Sequence, residues 1–160
     1  MKRTDERGFT LIELIAACAL VVVLLVVALF LLRPEDYTIV ERDAKRRTAI
    51  ASMVQAINEY RKDNGDVPPD IPSKVTAISS QSGHYDLCKY LVPKYMNDIP
   101  LDPMVGVKAN PDGLSTGDKC NTEGLIYAAG YAIHKDKNGQ VIISSPIADN
   151  GTIQIAVPKK

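Results

Sequence analysis

The sequence has no excess charge of either sign, with 19 Lys and Arg set against 19 Asp and Glu in 160 residues. That balance excludes a basic nucleic-acid-binding domain taken as a whole, and no acidic tail is present. Histidine is scarce, at two residues, and the pair His84 and His134 lie far apart in the chain. Cysteine is scarce too, at three, with no CxxC and no Cys/His cluster, so a zinc site is not expected. Ser82-Gly83-His84 places a Ser beside a His but lacks the GxSxG elbow of a nucleophilic serine. P-loop and dinucleotide fingerprints are missing as well. No catalytic constellation remains, and an enzyme is not expected. No internal repeat is evident. The length favours one domain, and such a small body is marginal unless stapled or packed in an oligomer.

Polar side chains are missing altogether from residues 14–32, LIAACALVVVLLVVALFLL. At the rise of an α-helix this run is about 28 Å long, which matches the hydrocarbon core of a bilayer. A cleavable secretory signal has a shorter apolar region followed by a small-residue cleavage site. Here the run is followed by Arg33-Pro34-Glu35-Asp36. A transmembrane anchor fits the run itself but does not explain its entry. Residues 1–8, MKRTDERG, are charged and end in Gly, and Glu13 sits at the edge of the apolar segment. A carboxylate there is costly unless it has a partner or a function. The helix N-terminus compensates a share of that cost, so Glu13 reaching to the membrane interface is the plainer account.

The stretch Gly8-Phe9-Thr10-Leu11-Ile12-Glu13-Leu14 resembles the class III signal of type IV prepilins and type II secretion pseudopilins. The resemblance implies cleavage by a prepilin peptidase between Gly8 and Phe9 and N-methylation of Phe9. It implies an assembly role for Glu13, paired with the terminal amine of a neighbouring Phe9 in a growing filament. It also implies the remaining partners: copies of the same chain, an assembly ATPase, a platform membrane protein, and lipid before assembly. Cleavage ahead of the apolar run leaves that run attached as an assembly helix.

Lys2, Arg3 and Arg7 precede the run and keep the N-terminus cytoplasmic by the positive-inside rule. The bulk of the chain is then outside the cytoplasm, where a Cys88–Cys120 disulfide is favoured over two buried free thiols. Pro34 is expected to bend the helix, since a proline removes a helical hydrogen bond. In the resembled family it marks a bend or an unwound stretch.

Beyond Pro34, Ile50, Met53, Val54, Ile57 and Tyr60 recur at helical spacing, and Asn64-Gly65 supplies a stop. The basic cluster Arg42, Lys45, Arg46 and Arg47 is expected to form a solvated helix face, with lipid headgroups or DNA as other uses. Residues 58–68 resemble the helix end of major pseudopilins. Residues 95–103, YMNDIPLDP, resemble their "LPxDP" turn, although the Trp that follows in that family is absent here.

Residues 85–92 read as a short helix. Residues 125–134, 140–145 and 152–157 read as strands, with Asn138-Gly139 and Asn150-Gly151 as turns. The expected fold is α+β and pilin-like: a long N-terminal helix packed on a small C-terminal antiparallel sheet. Its segments are a leader at 1–8, a transmembrane or filament-core helix at 9–33, an amphipathic half at 34–64 and a body at 65–160. The body divides into a loop region at 65–124 and a sheet at 125–158. Asn110, Asp112, Asp118 and Asp149 are oxygen donors that calcium would accept, by analogy with major pseudopilins, but they lack EF-hand spacing. No other cofactor is expected. The expected product is a subunit of a surface filament, with a secretion pseudopilus as the alternative and a membrane-anchored extracytoplasmic binding protein or enzyme as the rival class.

Overall fold

The computed structural model describes residues 11–31, 39–110, 113–114, 117–149 and 151–158. It divides into two compact units, Met1–Asp36 and Tyr37–Lys160. The expected bend at Pro34 lies outside the described residues.

The first unit is α1, Leu11–Leu31, a helix of 21 residues with Glu13 in its first turn. Apart from Glu13 its residues are apolar on every face, so no side of it turns preferentially to water. Each described side chain, residues 11–27, is exposed. Among the described residues no helix is long and apolar enough to cross a membrane. The described side chains stop at Val27, however, and the apolar run read from the sequence continues past it.

The second unit begins with α2, Ile39–Asn64, of 26 residues. Its buried stripe is Ile50, Met53, Val54, Ala56 and Ile57, the periodicity of one helical face. The helix stops where the sequence places the stop. Gly65 takes a φ of +84°, and its N–H donates to the Arg61 carbonyl at 2.8 Å. That is an αL cap, a conformation a Cβ would oppose.

Among the described residues the body carries six strands. They are β1 Thr76–Ser79, β2 Val107–Asn110, β3 Gly113–Leu114, β4 Ile126–Lys135, β5 Val141–Ser145 and β6 Ile153–Ala156. All strand pairs are antiparallel. The ten-residue β4 organises the sheet. Ala128 pairs with Ser79 of β1 and with Val107 of β2, while Ala132 pairs with Ala77 of β1 and with Ser144 of β5. A strand has two edges, so β1 lies along one edge of β4 and β2 and β5 follow one another along the other. Tyr127, Ala129, Tyr131 and Ile133 of β4 face the core, with Val141 and Ile143 of β5. Helix α2 packs on β5 and β6. The result is a helix followed by an antiparallel sheet, an α+β arrangement consistent with a pilin-like fold.

Two expectations need correction. The region 65–124 is not all loop: it contributes β1, β2, β3 and the short helix α3, Cys88–Leu91. These strands have two to four residues, too few to show a period, and in β2 the buried position is Lys108 while Val107 is exposed, so none reads as a strand by itself. Their order comes from pairing with one another and with β4. The helix expected at 85–92 shrinks to its second half. Tyr85 is extended instead, bridging Ile78, with its N–H donating to the Ala77 carbonyl at 3.0 Å. Burial of the Tyr85 ring, whose hydroxyl donates to the Pro69 carbonyl, holds that conformation.

Candidate functional site

The processing residues Gly8 and Phe9 lie outside the described residues, as does Asp112. Glu13 is placed in the first turn of α1, where the helix dipole favours a carboxylate. The rest of the site is the region of the body that holds α2.

Arg46 is wholly buried, although the sequence suggests a solvated basic face. Its Nε donates to Asp102 Oδ2 at 2.7 Å and its Nη2 to Asp102 Oδ1 at 3.4 Å. Its Nη1 donates to Asp43 Oδ1 at 2.9 Å and to Asp149 Oδ2 at 2.8 Å. Arg42 adds a bond from Nε to Asp149 Oδ2 at 3.2 Å. Three carboxylates from α2, from the segment before β2 and from the β5–β6 connection thus meet on one guanidinium. Hydrogen bonding to Asp102, then to Asp43 and Asp149, outweighs desolvation and pushes the Arg46 pKa up. The buried group therefore stays charged.

The spacing of the sequence carries a signal of this burial. Asp43, Arg46, Ile50, Met53 and Ile57 follow one another at steps of three and four, so Arg46 lies on the buried stripe. The basic cluster is accordingly broken up, with Lys45 and Arg47 exposed and Arg42 and Arg46 turned to carboxylates.

Asp102 is held from several sides. Its N–H donates to the Ala129 carbonyl of β4 at 2.8 Å, and its carbonyl accepts from the Gly106 N–H at 3.0 Å. Its carboxylate also accepts the N–H groups of Met104 and Val105, at 2.9 and 3.3 Å. Two glycines make the approach feasible. A Cβ on Gly130, whose φ is +82°, would stand 2.6 Å from the Asp102 Cβ. One on Gly106 would stand 2.6 Å from the Asp102 nitrogen.

Asp98, earlier in the same segment, organises its surroundings in a similar way. Its carboxylate accepts the N–H groups of Ile99 and Cys120, each at 2.9 Å, and pairs with the Lys108 ammonium. Lys108 also donates to the Asp118 carbonyl at 3.0 Å. Cys120, so placed, forms a disulfide with Cys88 across a Cα separation of 6.1 Å. Of the proposed calcium donors, Asp149 is engaged by Arg42 and Arg46, whose guanidinium groups balance its charge. Among the described residues no cluster of three or more metal-ligating side chains occurs.

Residues 3–29 match the family model described as the prokaryotic N-terminal methylation motif. The match spans the charged entry, the Gly8–Phe9 junction and most of the apolar run, and leaves the body outside it. It marks a class III prepilin-like signal, of the sort that prepilin peptidase processes in type IV pilin-like and pseudopilin precursors. No curated protein and no solved structure matches the chain.

Replacing Arg46 with Met is expected to cost roughly 3 kcal/mol, because it strands the buried Asp102 carboxylate. Arg46→Lys should recover only a fraction, since an ammonium cannot reproduce the fork. Urea unfolding of the full chain in detergent micelles measures both. Hydrogen bonds from Arg42 and Arg46 hold the Asp149 pKa below the ordinary carboxylate value. A depressed folded-state pKa gives stability that is present above the unfolded value, near 3.9, and is lost as pH falls through the folded one. Melting temperature should therefore fall below about pH 4. Asp149→Asn should flatten that fall while lowering stability at neutral pH.

Proposed function

We propose that this protein is a structural subunit of a type IV pilus-like filament, with no enzymatic role and no cofactor. The observation that carries the reading is the methylation motif at residues 3–29, which runs into a helix whose described side chains are exposed and, apart from Glu13, apolar. An apolar helix of that kind is stable in lipid or among other helices and is not stable alone in water. Before assembly, α1 and the residues after it sit in the cytoplasmic membrane with the N-terminus inside, as Lys2, Arg3 and Arg7 favour. Prepilin peptidase cuts after Gly8 and methylates Phe9. An assembly ATPase and a platform membrane protein then move subunits from lipid into a helical filament.

Within the filament, α1 packs against the α1 of neighbours, and dispersion and apolar burial hold the core. Glu13 pairs with the methylated amine of an adjacent Phe9. A carboxylate left unpaired in apolar surroundings is costly, so the pairing selects one axial register. The body forms the outer surface, braced by the Cys88–Cys120 disulfide.

A second reading is the major pseudopilin of a type II secretion system. The segment 95–103, which resembles that family, supports it, because its Asp98 and Asp102 hold the body together. The Cys pair favours a pilus.

The test is the intact mass of the protein from membranes, with a matched prepilin peptidase present or absent and without reductant. Loss of residues 1–8, gain of one methyl group and a deficit of two hydrogens are expected. A chain left uncut by active peptidase would reduce α1 to an anchor and bring forward an extracytoplasmic binding protein or enzyme.

A further inference from the structure

The sheet has a face turned away from the core, and that face is apolar. Residues paired directly across two strands share a side of the sheet. Ile126 and Ala128 of β4 therefore lie on one side with Ala109 and Val107 of β2. Tyr127 and Ala129, which alternate with them, face the core. An antiparallel sheet with one wet face sets polar residues outward. Here the outward positions are Ile, Ala, Val and Ala.

The same side holds a trough of about 450 Å³. Small residues line it, Ala77, Ala128, Gly130 and Ala132, together with the larger Val105 and Ile147. Val105 stands close over Gly130, where a Cβ would come within 2.9 Å of the Val105 Cγ2. No Asp, Glu, Lys or Arg lines the trough, although 24% of the chain is charged. Val105, Val107, Ile126 and Ile147 are each 39% to 50% exposed. Such a patch offers on the order of a few hundred Å² of apolar surface, the size that marks an interaction site. A stable interface between free proteins buries roughly 800 Å² on each partner. The patch is too small to hold free bodies together, and large enough to add to a contact made elsewhere.

We propose that this face of the sheet is where the body docks on the body of a second copy of the chain. The inference rests on the filament reading and adds to it the surface at which bodies touch. Packing of α1 on α1 holds neighbouring bodies at high local concentration, and a second, weaker contact is then occupied. Copies of one chain carry the same charges, and like charges brought together cost affinity. An uncharged face lets identical bodies meet without that cost. In a helical filament the contact is heterologous, so the trough of one copy takes a different surface of the next.

The double variant Ile126→Glu with Ile147→Glu charges the exposed rim and leaves the core alone. Its filaments are counted by electron microscopy beside those of the unaltered full chain, in cells that carry the matching assembly machinery. At least about ten-fold fewer filaments are expected, from a subunit whose mass shows the same cleavage, methyl group and disulfide. The photo-crosslinker p-benzoylphenylalanine in place of Ile147 identifies the occupant, and irradiated filaments are expected to yield an adduct of twice the subunit mass. Filaments of normal abundance from the Glu variant overturn the contact and leave the filament reading standing. So does an adduct with lipid or with a different protein, or no adduct from irradiated filaments. An unaltered chain that is cleaved yet forms no filaments overturns both.

Discussion

The directional ties of three segments of the body to α2 converge on the guanidinium of Arg46. A buried charge is tolerated only when it is paired and hydrogen-bonded, and here the partners come from three separate segments. Asp43 is local to the helix, Asp102 belongs to the segment that meets β4, and Asp149 to the connection between β5 and β6. Asp43 also accepts the Asp149 N–H at 3.2 Å, so the carboxylates are tied to one another as well as to Arg46. Gly106 and Gly130 belong to the same constraint, because Asp102 reaches its place only where no Cβ stands. The apolar stripe from Ile50 to Ile57 supplies bulk burial, but burial is non-directional. The ion cluster supplies direction, since a fork of N–H groups accepts its partners at fixed angles.

The two units meet different physical demands. In α1 backbone hydrogen bonds are satisfied within the helix, and its apolar side chains require lipid or like helices around them. The second unit buries its own core and is braced by covalent and ionic ties: the Cys88–Cys120 disulfide, the Asp98–Lys108 pair and the Arg46 cluster. A chain that leaves lipid for a filament changes the surroundings of α1 and can keep the body as it is. On the proposed reading, processing falls ahead of the apolar run and leaves α1 attached to the body.

Much of this is legible in the residues. The stop at Asn64-Gly65 rests on local backbone chemistry, and β4, β5 and β6 lie within about one residue of the runs marked by alternation and by the Asn-Gly turns. Elements that depend on distant partners are not legible. β1 and β3 are too short to show a period and exist because β4 and β2 pair with them. Charge alone marks Arg46 as a surface residue, and only its position on the Ile50 stripe marks it as buried. Asp102 is visible as a member of a turn resembling the pseudopilin one, yet its burial depends on a glycine far along the chain in β4, Gly130.

On the proposed reading α1 is an assembly helix whose register is set by Glu13. Its most direct test replaces Glu13 with Ala in cells that carry the matching assembly machinery, with filaments observed by electron microscopy. The expected result is a membrane-held subunit with an intact disulfide and few or no filaments. Filaments of normal abundance and length from the Ala variant would contradict it.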